Sequence, residues 1–501
     1  MDPARPRGLS PPNEIALPQM PVLKCAPMAI SSTAVRTLRS AVSRALAVLV
    51  CLGWPALIRA QPAAPPPALT LWQAVTFALD HHPGLKVRSA LRAQTAGRAA
   101  LLRAGYLPQL EVGLQLNRAT GNVLPGSLFA QRGTPMVSGP PLPAQFDGGA
   151  FGSLASLSAG WDPLGLVQRM AQVDAALLEG EQARAATQVR KLEIAYAAAD
   201  SFLQLGALGA VVQAARANVE RARTFTMFVE ARQKSELRPG ADLSRARAEL
   251  ALAETQLVRT EQAEALGRVQ LAQALGAAGA VVTIAPPSLT DPPDAALPQT
   301  PAASNPSLAE ADAGVAVARA QSHAAALQYL PRLDVVAALW VRGSGLTDPS
   351  GAHGLLPDTP NWAAGLVVSW PLLELFSVRA RVRLAQAQTA VQQAQREELA
   401  QTIQSQVDAA RATLDASLRV AQNTPAALAA ARATEQQAQA RYRAGLYTVL
   451  EVAEAQRLLA QAESEDAVAH LAIQRARLLL FRAVGDLTPF LAPPDRAAGG
   501  R

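Results

Sequence analysis

Gly105-Tyr106-Leu107-Pro108-Gln109-Leu110 and, 223 residues further on, Gln328-Tyr329-Leu330-Pro331-Arg332-Leu333 decide how this sequence folds. At both places an Ala-rich helical pattern stops at Tyr-Leu-Pro, and an alternating pattern begins. Proline cannot continue a helix, because it lacks the N–H and its ring meets the carbonyl four residues back. After Pro108, Leu110, Val112, Leu114 and Leu116 alternate with Glu111, Gly113, Gln115 and Asn117. Such alternation marks a strand with one apolar and one polar face.

Working outward, the spacing predicts helices from Leu71, with Thr70 as N-cap, and from about Leu85 to Ala104. His82-Pro83 separates them. A second strand is expected over Phe151–Asp162, after a Gly/Pro/Ser-rich loop at 118–149. From about Leu166 to Leu237 there is no proline. A helix of that length would run about 100 Å, which suits a coiled coil or a long tube better than a compact domain. Arg238-Pro239-Gly240 reads as a turn, and Ala241 to Leu275 as the returning helix, ended by Gly276. The Pro-rich segment 277–304 is a connector.

The same order then recurs. Asn305-Pro306-Ser307-Leu308 echoes His82-Pro83-Gly84-Leu85 at the same offset of 223 residues. A helix over Leu308–Leu327 leads to Tyr329-Leu330-Pro331, then to strands over Leu333–Val341 and Asn361–Leu372. Trp370-Pro371 echoes Trp161-Asp162-Pro163. A long helix over Val378–Arg443 turns at Ala444-Gly445 and returns through Val449–Val484 to Gly485. Pro425 is expected to kink or interrupt it. The boundaries read from this order are 1–60 leader, 61–69 Pro/Ala tether, 70–276 first repeat, 277–304 connector, 305–488 second repeat and 489–501 disordered tail.

The composition agrees. Half of the 501 residues are hydrophobic but only 4% are aromatic, and Ala with Gln, Arg and Glu favours long, closely packed helices. The net charge of +7 comes largely from residues 1–60, which hold seven Lys/Arg and two Asp/Glu. That leaves 39 basic (46 − 7) against 37 acidic (39 − 2) residues in the rest. No basic stripe points to nucleic acid. Residues 28–60 read as a secretory signal, with Arg36, Arg39 and Arg44 before the apolar Ala45–Ile58; translation then starts at Met28 or Met20. Cys25 and Cys51 both lie in or before this leader, so the mature chain has no disulfide or Cys-based metal site, and Cys51 is a candidate lipidated terminus.

Each half offers two strands, too few for a stable sheet. Trp362 and Trp370 share a face with Ala364, Leu366 and Val368, and stand about 26 Å apart at strand rise. That fits the apolar band and aromatic girdles of a membrane β-barrel better than a soluble sandwich with Trp in its core. Trp161, Trp340, Trp362 and Trp370 are the expected girdle. Four strands cannot close a barrel, and twelve from three copies is the economical solution.

The repeat, the Tyr-Leu-Pro junctions, the Trp-Pro strand ends and the turn Tyr442-Arg443-Ala444-Gly445 together resemble the TolC-like outer-membrane efflux proteins over most of residues 70–488. The resemblance implies a mixed, mainly α fold: a homotrimer with a 12-stranded barrel in the outer membrane, four strands per protomer, continuous with a periplasmic α-helical barrel. It implies a passive export duct, in tripartite efflux or type I secretion, opened by a periplasmic adaptor and an inner-membrane transporter. It also places Gly240 and Gly445 at the periplasmic tip. There Glu451 and Glu454, three apart on one helix face, match acidic positions that ring the pore and favour cations. Tyr442 matches a latch tyrosine and Asp242 its acidic partner; Tyr447 stands where some relatives have arginine, so one ion pair is missing. No cofactor or metal is expected: His81-His82 sits at a helix break, and no phosphate loop, nucleophile elbow or Cys/His cluster suggests an enzyme. The alternative is a structural coiled-coil envelope protein that does not conduct, which would have no use for the strands.

Overall fold

Each Tyr-Leu-Pro motif sits at the foot of a strand. A computed structural model of the chain describes residues 68–119, 150–234, 240–285, 305–345 and 353–491. The leader, the possible lipid site Cys51, most of the tether, the loop 120–149, Arg238-Pro239 and most of the connector lie outside the described residues. The elements are α1 (Leu71–His81), α2 (Pro83–Ala104), β1 (Gln109–Ala119), β2 (Ala150–Trp161), α3 (Gly165–Lys234), α4 (Gly240–Ala274), α5 (Pro306–Ala326), β3 (Arg332–Ser344), β4 (Thr359–Ser369), α6 (Leu375–Arg443), α7 (Val449–Val484) and α8 (Thr488–Leu491).

The strands form one antiparallel sheet in the order β1-β2-β3-β4. Register sorts its faces, because directly opposed residues point the same way. Val112 lies opposite Leu157, Leu157 opposite Leu339, and Leu339 opposite Trp362; one level down, Ala159, Ala337 and Ala364 align with Leu110. This face is therefore mainly apolar across all four strands, with Ser153 and Arg118 as polar exceptions toward the loop end of β1 and β2. The other carries Glu111, Gln115, Ser156, Ser158, Asp334, Arg342 and Asn361. Leu110, Val112, Leu114 and Leu116 are exposed by 61–80%, so within one chain this apolar face covers nothing.

Two expectations change here. β4 ends at Ser369 rather than Leu372, because its partner β3 begins only at Arg332, just after Pro331, and Pro371 has no N–H to continue a ladder. Trp340 is not on the face of the other tryptophans. Its register neighbours are Ser156 and Asn361, which puts it on the polar side.

The long helix α6 packs through a heptad-like seam. In α6 the buried positions Ile403, Val407, Ala410 and Leu414, then Thr424, Leu428, Ala431, Glu435, Ala438 and Tyr442, recur at alternating steps of three and four. A 3.5-residue period keeps one stripe on the partner helix. Pro425 does not interrupt α6. It is exposed and lies off the seam, where Thr424 and Leu428 are buried on either side. α3 contains an apolar window long enough to cross a membrane, but Ile194, Ala198, Phe202 and Leu205 pack in a core with Val75 of α1, Leu271 of α4 and Leu478 of α7. The expected tail is helical at its start: α8 turns Phe490 onto Phe481, with ring centroids 6.1 Å apart. Residues beyond Leu491 lie outside the described set.

Both returning helices end at a glycine in the left-handed region, Gly276 (φ 74°) and Gly485 (φ 99°). Each is pressed by a helix start from earlier in the same half of the chain, that of α2 or of α5. A Cβ on Gly276 would lie 2.8 Å from His82 Cα and Pro83 Cδ, and one on Gly485 would lie 2.9 Å from the Asn305 side chain and Pro306 Cδ.

Candidate functional site

The far ends of the two helical hairpins meet. Phe225 and Val229 of α3, Leu243 and Ala246 of α4, Ala438 and Tyr442 of α6, and Val449, Val452 and Ala455 of α7 form one buried cluster. The sequence-predicted tip residues Asp242, Tyr442, Gly445 and Tyr447 thus belong to one end of the chain's helical body, as does Gly240, the first residue of α4.

Tyr442 is 1% exposed and stands edge-on to Phe225, centroids 5.3 Å apart, and Phe228, 6.2 Å. Its ring is a core element of this end. After it the chain reverses at Gly445 (φ 79°), whose N–H donates to the Tyr442 carbonyl at 3.0 Å, while Leu446 N–H donates to Arg441 at 2.9 Å. Such bonds satisfy the last carbonyls of a helix, and the left-handed residue favours glycine.

Two arginines that sequence reasoning passed over complete the site. Arg232, near the end of α3, donates through Nη1 to the Tyr442 carbonyl and through Nη2 to the Arg443 carbonyl, both at 3.1 Å. Its guanidinium also lies 5.7 Å from the Phe228 ring centre and 5.9 Å from that of Tyr442. A cation at the negative end of a helix is favourable, and the planar guanidinium meets two carbonyls with a pre-organised fork that a lysine lacks. Arg441 donates to the Tyr447 hydroxyl at 2.6 Å and covers its ring at 5.1 Å. Where the resemblance led one to expect an arginine at 447, the positive charge comes from the other side of the turn. Further along, Arg221 grips Glu463 at 2.7 and 3.3 Å and Arg475 grips Asp200 at 2.8 and 3.1 Å. Both pairs tie α3 to α7.

Glu451 and Glu454 share the exposed face of α7, away from the aromatic cluster. Glu451 accepts from the Thr448 backbone N–H at 2.8 Å and from the Thr448 hydroxyl. These bonds, the hydroxyl first, hold its carboxyl below the ordinary value. Glu454 accepts from Arg457 one turn on, at 2.8 Å. Both carboxylates therefore have local partners, and both remain open to solvent.

At the opposite end, Trp161 is 39% exposed and its Nε1–H donates to the Tyr106 carbonyl at 3.1 Å. Arg169 of α3 donates to the Gly105 carbonyl at 2.8 Å. The first Tyr-Leu-Pro junction is stapled to both the strand and the helix that follow it. Trp362 and Trp370 are 75% and 55% exposed. Among the described residues no three His, Cys, Asp or Glu side chains gather as a metal site.

Comparisons with known proteins agree with this geometry. The family model described as outer membrane efflux protein matches residues 75–277 and 297–486. A pyoverdine export outer membrane protein, OpmQ of Pseudomonas putida, is 27% identical over 433 residues, covering 82% of this chain and 85% of its own. The fold is similar to that of the channel CusC (TM-score 0.68, 18% identity, 83% of this chain and 92% of that one). It is also similar to that of VceC from Vibrio cholerae (TM-score 0.64, 20% identity, 83% and 96%). With a match over most of its length, a sheet mainly apolar on one face and long paired helices, the chain belongs to the outer membrane efflux protein family.

Proposed function

We propose that three copies of this chain form a passive export duct whose twelve strands close a barrel in the outer membrane, above a helical tube in the periplasm. The observation that carries this is the sheet: four strands, mainly apolar on one face, with β1 and β4 as its edges among the described residues. Strands of 11 to 13 residues run about 36 Å or more, or about 26 Å in height at a tilt near 45°. That matches the apolar band of a membrane barrel. An even strand count also makes β1 and β4 antiparallel, so β4 of one copy can continue onto β1 of the next around a closed ring. Trp161, Trp362 and Trp370 are the girdle. The internal two-fold repeat is supported by the paired joints, His82 against Gly276 and Asn305 against Gly485.

The tip is where the duct is controlled. Arg232 holds the end of α6 against α3, and Glu451 and Glu454 ring the aperture and favour cations. A periplasmic adaptor and an inner-membrane transporter supply the opening, and Tyr447 is the place from which to cross-link the adaptor. The relative that exports pyoverdine supports a small molecule as cargo. A non-conducting scaffold would have no use for the exposed apolar sheet. The test is membrane fractionation with mild and boiled gel samples, followed by single-channel recording. A soluble monomer, or a membrane trimer that does not conduct, would overturn the reading. Unchanged ion selectivity in a Glu451→Gln/Glu454→Gln double variant would remove those two residues alone.

A further inference from the structure

The two helix joints described above are built alike but differ in one residue. His82 lies between α1 and α2, and its Nδ1 accepts from Gly84 N–H at 3.0 Å. At the matching position, Asn305 Oδ1 accepts from Ser307 N–H at 2.9 Å to cap α5. Its Nδ2 donates to the carbonyls of Ala483 and Val484 at 3.3 and 3.1 Å. Both caps press on the glycine that ends a returning helix, Gly276 or Gly485. Only one of the two can take up a proton.

We propose that His82 makes the α1–α2 joint sensitive to acid, whereas Asn305 keeps the matching joint indifferent to pH. A protonated imidazole donates from both nitrogens, so the Gly84 N–H loses its acceptor and the first turn of α2 its cap. The new charge also faces Arg190. A Cβ placed on Gly84 would lie 2.9 Å from His82 Nδ1 and 3.1 Å from Arg190 Nε and Nη2, so imidazole and guanidinium flank one spot. Burial first, and Arg190 second, push the imidazole below its ordinary 6.5. The stabilising form is the neutral one: the cap is complete above pH 6.5 and is lost as pH falls through the lowered value.

The surroundings offer little compensation. Arg190 of α3 is paired with Glu193 at 2.9 Å, and the close neighbour just after α4 is the uncharged Gly276. On its own segment Asp80 and His81 precede it and Lys86 follows. The His81 ring is engaged with the Phe77 carbonyl at 3.1 Å. From α5, Glu310 lies near Arg88 and Glu193, with its carboxyl pushed up by burial above all. Its protonation acts in the opposite sense and is untouched by a change at His82.

Hydrogen–deuterium exchange of the full-length protein in detergent, corrected for intrinsic rate, reads the joint directly. Between pH 7.5 and 5 the peptide spanning 82–92 should lose protection about 2- to 30-fold, the range an N-cap is worth. The peptide spanning 305–312 should not change. His82→Asn, which copies the second joint, should abolish the loss, and Asn305→His should import it at 305–312. Equal protection of 82–92 at both pH values in the unaltered protein overturns the proposal. So does an undiminished loss in His82→Asn. If that variant fails to fold, the Asn305→His result decides, and an acid-indifferent 305–312 counts against the proposal.

Discussion

Removing the Arg232 side chain should loosen the tip without unfolding the body. Arg232→Ala deletes two hydrogen bonds of 3.1 Å to the carbonyls of Tyr442 and Arg443, worth about 1 kcal/mol each net. It also removes a cation from a helix C-terminus, about 0.3–1 kcal/mol, and a guanidinium near two rings, about 0.5–1 kcal/mol at a partly exposed site. Together these come to about 3 kcal/mol per copy. If the links exist only while the hairpins are together, the ratio of joined to parted tips falls roughly 100-fold per copy, at tenfold per 1.4 kcal/mol. The core of Phe225, Val229, Tyr442 and Val452 remains, so helical content should be unchanged. In planar bilayers the variant should show larger conductance or longer open times than the unaltered protein. Arg232→Lys should fall between, since a flexible, strongly hydrated ammonium lacks the pre-organised planar fork and its stacking on the rings. If Arg232→Ala closes as completely as the original protein while its helical signal is intact, the clamp is not what holds the tip.

Gly276→Ala should destabilise by at least about 1–2 kcal/mol, the cost of a left-handed L-residue, with more from the Cβ 2.8 Å from His82 Cα; denaturant melts of the helical signal check this. Trp161→Phe keeps the apolar ring but drops the bond to the Tyr106 carbonyl, so about 1 kcal/mol should be lost and the assembled form should dissociate at lower temperature on gels. The Thr448–Glu451 contact should be intact above about pH 4.5, the carboxyl's ordinary value, and fail as pH falls through its lowered value. Corrected for intrinsic rate, amide protection at 448–452 should then fall in acid, and a Glu451→Ala variant should lack that protection at every pH.

Element types and order were legible because their signals are local. Prolines at 83, 108, 306 and 331, and glycines at 276 and 485, stop or start segments by their own covalent geometry. The face of Trp340 was harder to read, because Val336, Ala338 and Trp340 are as apolar as Val335, Ala337 and Leu339. Alternation is blurred there, and pairing with Ser156 and Asn361 decides it. Pro425 suggests a break when the sequence is taken alone; the seam on both sides outweighs one missing hydrogen bond. At the tip, Tyr442 and Gly445 were found through the turn they flank. Arg232 was not, since its partners are carbonyls 210 and 211 residues away, which leave no mark in side-chain patterns. Thr448-x-x-Glu451 carried a capping signature that was passed over in favour of the pore.

The two edges of the sheet have a consequence for biogenesis. Among the described residues β1 and β4 are the edge strands of the sheet, with an exposed apolar face between them, and any extended peptide could add to such edges. Such a chain has no safe resting form in water. If the proposed trimer is the assembled form, its lifetime as a lone molecule must be short compared with the time to meet two others, or something must shield it meanwhile. Sheet completion and subunit association then become one thermodynamic event, and apparent stability rises with chain concentration. A slowed supply of chains would leave incomplete species prone to aggregate, long before any defect in transport could be measured.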